Sequence, residues 1–315
     1  MLALVALSCK QSNEAVEDAA ARISLTVQNL PPLEGAHYQL WATFFPFNKP
    51  SDGDSPTHED EFFLLGEFVV SENGVVQGMN GGTPQFAIPR GSNAQLLRDI
   101  VVSIELDHGL AKPLHDQPVS ILMGAAFQGT ERMATADMTI AYADAFKSNF
   151  AAASGRCTIV APTSPADSNS GIWFVELGSS ASAGLRNLPA LPSEWRYEGW
   201  VVDSRTPRSF SSTGKFTKAD SADSDGAGPN RGTGSPFNFP GQDFITVTPP
   251  RPDFRDQVYS FMVTIEPQPD NSTKPFFLTL LNVNRLNVPP GNPRSFAMTN
   301  VIASVAPTAR AVVQR

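Results

Sequence analysis

Four histidines, His37, His58, His108 and His115, all fall in the first part of the chain, and Asp107, His108, His115 and Asp116 share one short stretch. Imidazoles and carboxylates at that density are the raw material of a divalent-metal site. Their spacing matches no zinc pattern, and Gly109 and Pro113 mark the stretch as a solvated turn region, so no metal is assigned to it. A second acidic run, DSADSDG (Asp220 to Gly226), places Asp223, Asp225 and Gly226 at the third, fifth and sixth positions of a calcium loop. Its first position is then Ser221 and its twelfth Gly232, where a bidentate Glu is needed, and the EF-hand reading fails.

Glu105 and Glu266 end two similar runs, VSIE and VTIE. Paired acids suit general acid–base chemistry, but nothing local fixes the separation of these two. Their repeated position points to a shared structural role such as accepting turn amides. No GxSxG elbow, HExxH helix, Gly-rich phosphate loop or Cys with an adjacent base occurs. No catalytic residue and no cofactor are assigned, and the chain is expected not to be an enzyme.

Binding chemistry is better represented. Cys9 follows MLALVALS, an apolar run ending in a small residue. That arrangement is similar to the end of a bacterial lipoprotein signal, in which the cysteine becomes the acylated first residue. Acyl chains contribute about 0.8 kcal/mol per buried methylene, so several of them make attachment nearly permanent. The expectation is a protein held on a membrane, on the periplasmic face, by lipid at Cys9. Trp173 and Trp195 are the tryptophans expected to be exposed. With Phe237 and Phe239 of the loop SPFNFPG they are the candidate partner-binding residues, because aromatic anchors dominate contact energies. A net charge of −8 and a pI near 5.0 repel phosphate backbones, so nucleic acid is not an expected partner.

The elements that must position these groups are strands. The chain has 315 residues with 27 Pro and 23 Gly, a turn-rich composition in which long helices are scarce. It also repeats itself: NLPPLEGAHYQLW (Asn29 to Trp41) returns as NLPALPSEWRYEGW (Asn187 to Trp200), and Leu30, Trp41, Gly66 and Glu105 recur in order as Leu188, Trp200, Gly214 and Glu266. Repetition of this kind is settled before other fold questions. RISLTVQNL alternates with period two, HYQLWATFF puts Tyr38, Leu40 and Ala42 on one face and Trp41 on the other, and SENG supplies a hairpin turn. The expected fold is all-β, with two tandem antiparallel β-sandwich domains, Ig-like or barrel-like, related by internal duplication and each closing its own core. The expected division is a signal remnant and tether over 1–21, a first module over 22–137, a linker over 138–170, a second module over 171–284 and a C-terminal tail over 285–315. Tyr142, Phe146 and Phe150 of the linker are placed at the interface between modules. The loop KADSADSDGAGPNRGTGSPFNFPGQD is too polar to pack a core of its own.

LPPLEGAHYQLWA, LLGEFVVSENG and VSIELDHGLAKPLHDQPVSILMG together resemble the extracytoplasmic C-terminal domain of the anti-sigma-K factor family, the RskA type. The likeness covers the first module almost end to end. In the second, Tyr197 and Trp200 keep the aromatic pair, Gly199 replaces the strand leucine and Glu266 keeps the acidic end. The resemblance implies a β fold, an extracytoplasmic location and a sensing or docking role, with no catalytic residues carried over. The zinc-binding helical domain and membrane-spanning helix of the sigma-regulating members are not read in this sequence, so direct sequestration of a sigma factor is not expected. The expected function is an accessory or scaffold subunit that docks on an envelope or membrane protein complex, for instance a respiratory or photosynthetic one. The alternatives are an envelope sensor in a sigma-factor circuit and a carbohydrate or small-ligand binding protein.

Overall fold

The computed structural model describes residues 21–45, 62–88, 94–107, 117–130, 132–234, 238–246, 248–270, 272–283 and 294–314. The expectations at Cys9, His58, His108, His115, Asp116 and Phe237 lie outside the described residues. The first strands are β1 (Arg22–Gln28), β2 (Ala36–Phe44), β3 (Phe63–Val70), β4 (Val76–Gly78), β5 (Phe86–Ala87), β6 (Leu97–Leu106), β7 (Ser120–Ala126), β8 (Gln128–Gly129) and β9 (Met133–Thr139). They are followed by β10 (Ser154–Ile159), β11 (Ile172–Trp173), β12 (Val175–Leu177), β13 (Ala181–Ala183), β14 (Leu185–Arg186), β15 (Trp195–Asp203) and β16 (Ser209–Phe216). The last are β17 (Gly241–Gln242), β18 (Tyr259–Pro267), β19 (Thr279–Val283), β20 (Ser295–Asn300), the short helix α1 (Ile302–Val305) and β21 (Thr308–Gln314).

The protein is all-β and antiparallel. One large sheet runs β4-β3-β2-β6-β7-β9-β21-β1-β5 and a second β16-β15-β18-β19-β20-β10-β11-β17, while β12 and β13 form a separate two-stranded ribbon. In each, strands from opposite ends of that order meet, β3 with β5 in the first and β16 with β17 in the second, so both sheets curl into barrel-like forms. Period-two alternation decides the faces: Tyr38, Leu40 and Ala42 of β2 are buried in the core, while the Trp41 indole on the other side donates to Ser103 Oγ at 3.0 Å.

The repeated residues make the same contacts in both sheets. Tyr38 stacks on Phe68 with ring centroids 5.4 Å apart, and Tyr197 stacks on Phe216 at 5.6 Å. The Tyr38 hydroxyl donates to Pro31 O and the Tyr197 hydroxyl to Pro189 O, each at 2.7 Å. The Trp200 indole donates to Thr264 Oγ1 at 2.9 Å, matching Trp41 and Ser103. Even the register shifts recur, between Val102 and Ser103 and between Val263 and Thr264.

Two expectations are corrected. Residues 138–170 and 285–315 are not a plain linker and a tail, because each contains a strand that crosses to the other sheet. β9 runs through 140–153 into β10, which leaves the first sheet and lies between β20 and β11 of the second. β20 runs through α1 into β21, which returns to lie between β9 and β1 of the first. Nor are the cores separate. Phe146 and Phe150, buried as the interface expectation requires, join side chains of both sheets into one apolar cluster that extends from Ile23 to Val313.

The crossings are pinned by asparagines. Asn29 and Asn187 have φ of 54° and 55°, a region Asn tolerates better than most residues. The Asn29 amide donates to Ala306 O and the Asn187 amide to Ala152 O, both at 3.2 Å. Asn187→Ala therefore forces a Cβ-bearing residue without a compensating bond into the left-handed region and strips a crossing carbonyl of its donor. We expect a loss of about 2 kcal/mol in urea unfolding, with Asn187→Gly losing about half as much because it keeps the backbone conformation. Equal losses for the two variants would show that conformation contributes nothing.

Candidate functional site

On the face of the second sheet opposite its main core, β15, β16 and β18 bring a row of polar side chains together. Arg196 and Glu198 alternate with the core residues Tyr197 and Val201 on β15, and cross-strand pairing sets Glu198 beside Lys215 of β16 and Thr264 of β18. Segment 221–226 folds back over the end of β16, where Ser224 N donates to Lys215 O at 2.8 Å and Lys215 N to Ser224 Oγ at 3.1 Å. The result is a cleft of about 630 Å³ whose walls include Glu198, Ser212, Lys215, Asp223, Asp225 and Asp270.

Carboxylates dominate it. Burial raises the Glu198 carboxyl above its usual range, and the nearby charges of Asp270 and Asp225 push the same way against the lowering effects of Ser212 and Lys215. Ser212 Oγ accepts from Gly214 N at 3.1 Å and donates to Glu198, so its hydroxyl is engaged in holding the strand end. Glu266, fully buried behind this row, is pushed up to about 8, chiefly by burial. Its carboxyl accepts from Thr264 Oγ1 and from Phe276 N at 2.9 Å, which is the turn-amide role the repeated acid was expected to play.

Asp223 is the most perturbed of these acids. Burial and then the facing Asp225 carboxyl raise it to about 9. Its Oδ2 accepts from Gly241 N at 2.8 Å, and the side chain and backbone amide of Asp225 also hydrogen-bond to the carboxyl. Both carboxylates close over Gly214. A Cβ there would stand 2.6 Å from Asp223 Cγ and 2.7 Å from Asp225 Oδ1, and its φ of +93° favours glycine as well. This landmark glycine thus has a physical reason: only a bare Cα leaves room for two acids above the strand.

The cations of the cleft hydrogen-bond to backbone carbonyls and keep their charge. Lys215 Nζ donates to Asp270 O at 2.5 Å and lies 3.9 Å from Glu198 Oε2, and Arg196 donates to the carbonyls of Ser193 and Trp195 at 2.8 and 2.7 Å. Among the described residues no three His, Cys, Asp or Glu side chains are grouped to hold a metal ion, and no helix is long and apolar enough to cross a membrane.

The first sheet carries a different version of the same row. His37 and Gln39 stand where Arg196 and Glu198 stand in the second, and Glu67 replaces Lys215. His37 is buried with Nδ1 at 2.9 Å from Asp107 Oδ1 and Nε2 at 3.5 Å from Glu67 Oε1. Asp107, the described member of the suspected histidine loop, thus faces His37.

Of the expected partner-binding residues, Trp173 and Trp195 are corrected. Both are buried, at 0% and 1% exposure. Trp195 packs edge-on to Phe146 at 4.8 Å and near Phe276 at 6.1 Å, filling the junction between the sheets. Trp173 forms a small second core with Val175 and Ala227, against which Phe239 lies half-buried. The polar loop after Lys218 therefore folds onto that tryptophan. Cys157 is a free, buried thiol that burial holds well above the usual thiol range, which makes it unreactive.

The sequence singled out Asp223 and Asp225, but as a failed calcium loop, and it missed Glu198, Lys215 and Asp270. Their signal lay in the repeat. Aligning Tyr38 with Tyr197 sets Gln39 against Glu198, a strand position where charge changes while the flanking core aromatics do not. Compared with known proteins, the chain matches no family model, and neither a curated protein nor a solved structure matches it.

Proposed function

We propose that this chain is a non-catalytic, extracytoplasmic interaction protein, tethered by a lipid at Cys9, that docks on a membrane protein complex through the cleft of its second sheet. The observation that carries this reading is the charge imbalance of that cleft. With Asp223 protonated near neutral pH, three further carboxyls, Glu198, Asp225 and Asp270, line a recess that holds two cations, Lys215 and Arg196. Such a surface selects a basic partner and steers its approach. Ser212, the hydroxyl nearest Glu198, is held by two hydrogen bonds in a structural role. The carbohydrate alternative calls for an exposed aromatic platform, and all four tryptophans are buried.

Purifying the full chain from its native membranes is expected to bring down a stoichiometric partner that high salt releases. A monodisperse chain without a companion would overturn the reading. So would turnover on a panel of envelope substrates that Ser212→Ala or Glu198→Gln abolishes.

A further inference from the structure

We infer that the last strand, β21, is exchanged between molecules when the protein folds at high concentration, and that the partner fitting the first sheet in this way is a second copy of this chain. The inference goes beyond the docking reading and does not depend on it. It starts from the kind of crossing the two halves make. In the first sheet β21, from the end of the chain, lies between β9 and β1, the strand that leads into Asn29. In the second, β10, from the first half, pairs with β20 and with β14, the strand that leads into Asn187. The two arrangements correspond strand for strand. Asn29 donates to Ala306 O just ahead of β21, and Asn187 donates to Ala152 O just ahead of β10. β10 and β21 are thus the same strand of the repeat, and each half gives its copy to the other.

That is the topology of a strand-exchanged dimer whose two subunits are joined in one chain. Nothing in the bonds of the exchanged strand records which molecule supplied it. Thr308 to Gln314 pair with β9 and Thr308 to Val313 with β1, and Ala309, Ala311 and Val313 fill the core beneath. A second copy offers the same edges in the same register, so a closed monomer and an exchanged dimer contain the same β21 contacts. The difference lies in the tether. Residues 301–307 connect β20 to β21, and within them Ile302–Val305 form a single helical turn in which only Ile302 is buried. One turn of helix is too short to hold its shape unaided. The closed form is favoured by proximity, since a short tether presents its end at an effective concentration of about a millimolar. Exchange belongs to folding, when neither first sheet is closed, because opening the native protein would break a whole interior strand.

The test uses the full-length chain with Cys9→Ser, carrying either Thr26→Cys or Arg310→Cys, two exposed positions that face each other across β1 and β21. The two proteins are mixed in urea with reductant, refolded together at about 10 µM and at about 100 µM, and oxidised only after folding, when Cys157 is buried. A disulfide joining the two substituted positions forms only between molecules. It is expected, with a ratio of dimer to monomer about tenfold higher at the higher concentration. Proteins folded apart and then mixed are expected to show at least about tenfold less of it, because their strands are already placed. A chain carrying both substitutions, closed into an internal disulfide before it is unfolded, keeps its own strand and is expected to refold as a monomer. The unsubstituted chain, sized by gel filtration after the same refolding, is expected to show the same rise in dimer, which keeps the test open should either substitution disturb the fold. No joined disulfide at either concentration, a yield independent of concentration, equal linkage in proteins folded apart, or a dimer equally abundant in the internally closed chain would each overturn the exchange.

Discussion

Deleting residues 308–315 is expected to abolish the native first sheet, although these residues lie at the far end of the chain from most of it. β21 is an interior strand. It pairs with β1 from Ile23↔Val313 to Gln28↔Thr308 and with β9 from Thr308↔Thr139 to Gln314↔Met133. Its removal strips hydrogen-bond partners from two neighbours and opens the core under Ala309, Ala311 and Val313, all buried. Each net backbone hydrogen bond is worth about 1 kcal/mol, and a domain is stable by only roughly 5–15 kcal/mol, so losing a whole central strand exceeds the margin. Because Phe146, Phe150 and Trp195 fasten the two sheets into one core, the second is expected to loosen as well. The truncated chain should lose its near-ultraviolet circular dichroism and its cooperative thermal transition. A synthetic peptide of residues 308–314 added in trans should restore both in part. A truncated protein melting within a few degrees of the intact one would show that β1 and β9 close without β21.

The same exchange explains why the fold was only partly legible. Tyr38, Leu40, Ala42 and Trp41 were assigned to the right faces because alternation is a local property, and a strand that buries one side announces it within a few residues. The destination of β10 and β21 is not local. Both are short alternating strands, and nothing in SGRCTI or TARAVVQ says which sheet will receive them. Pairing Ile23 with Val313 closes nearly the whole chain into a loop, a choice made by the vacancy left in the other sheet. Trp195 and Trp173 were misread for the same reason. Each stands beside a turn, and the groups that cover them, Phe146 and Phe276 for one and Ala227 and Phe239 for the other, arrive from distant segments. Of the cleft only Asp223, Asp225 and Gly214 were singled out, and not as an assembly, since Asp223 meets Gly214 only after segment 221–226 folds back on β16.

That assembly gives the chain a stability that declines with alkalinity, and Glu266, which is fully buried, is one of the groups expected to show it. Glu266 is fully buried and its carboxyl titrates near 8 in the folded protein, against 4.5 for a free side chain. The groups facing it are Glu198 and Asp270, which raise it, and the hydroxyl of Thr264 and amide of Phe276, which lower it, with Arg196 paired across from it on β15. A carboxyl whose pKa is higher in the folded state binds more protons there than when unfolded. Its stabilising contribution is therefore complete below about pH 4.5 and is lost as pH rises through 8. At about 1.4 kcal/mol per pH unit the ceiling for this group is roughly 5 kcal/mol, and relaxation of the surrounding loop brings the expected effect to about 2–3 kcal/mol.

Glu266→Gln imitates the protonated acid. It keeps an oxygen for the Phe276 amide and carries no charge at any pH. The variant is expected to match the native protein near pH 5 and to exceed its melting temperature by several degrees at pH 9, where the native chain holds a buried carboxylate without a full counter-charge. Thermal melts of both proteins across that range decide the matter. Parallel profiles would show that Glu266 stays ionised throughout and that the cleft, not the buried acid behind it, governs the alkaline loss.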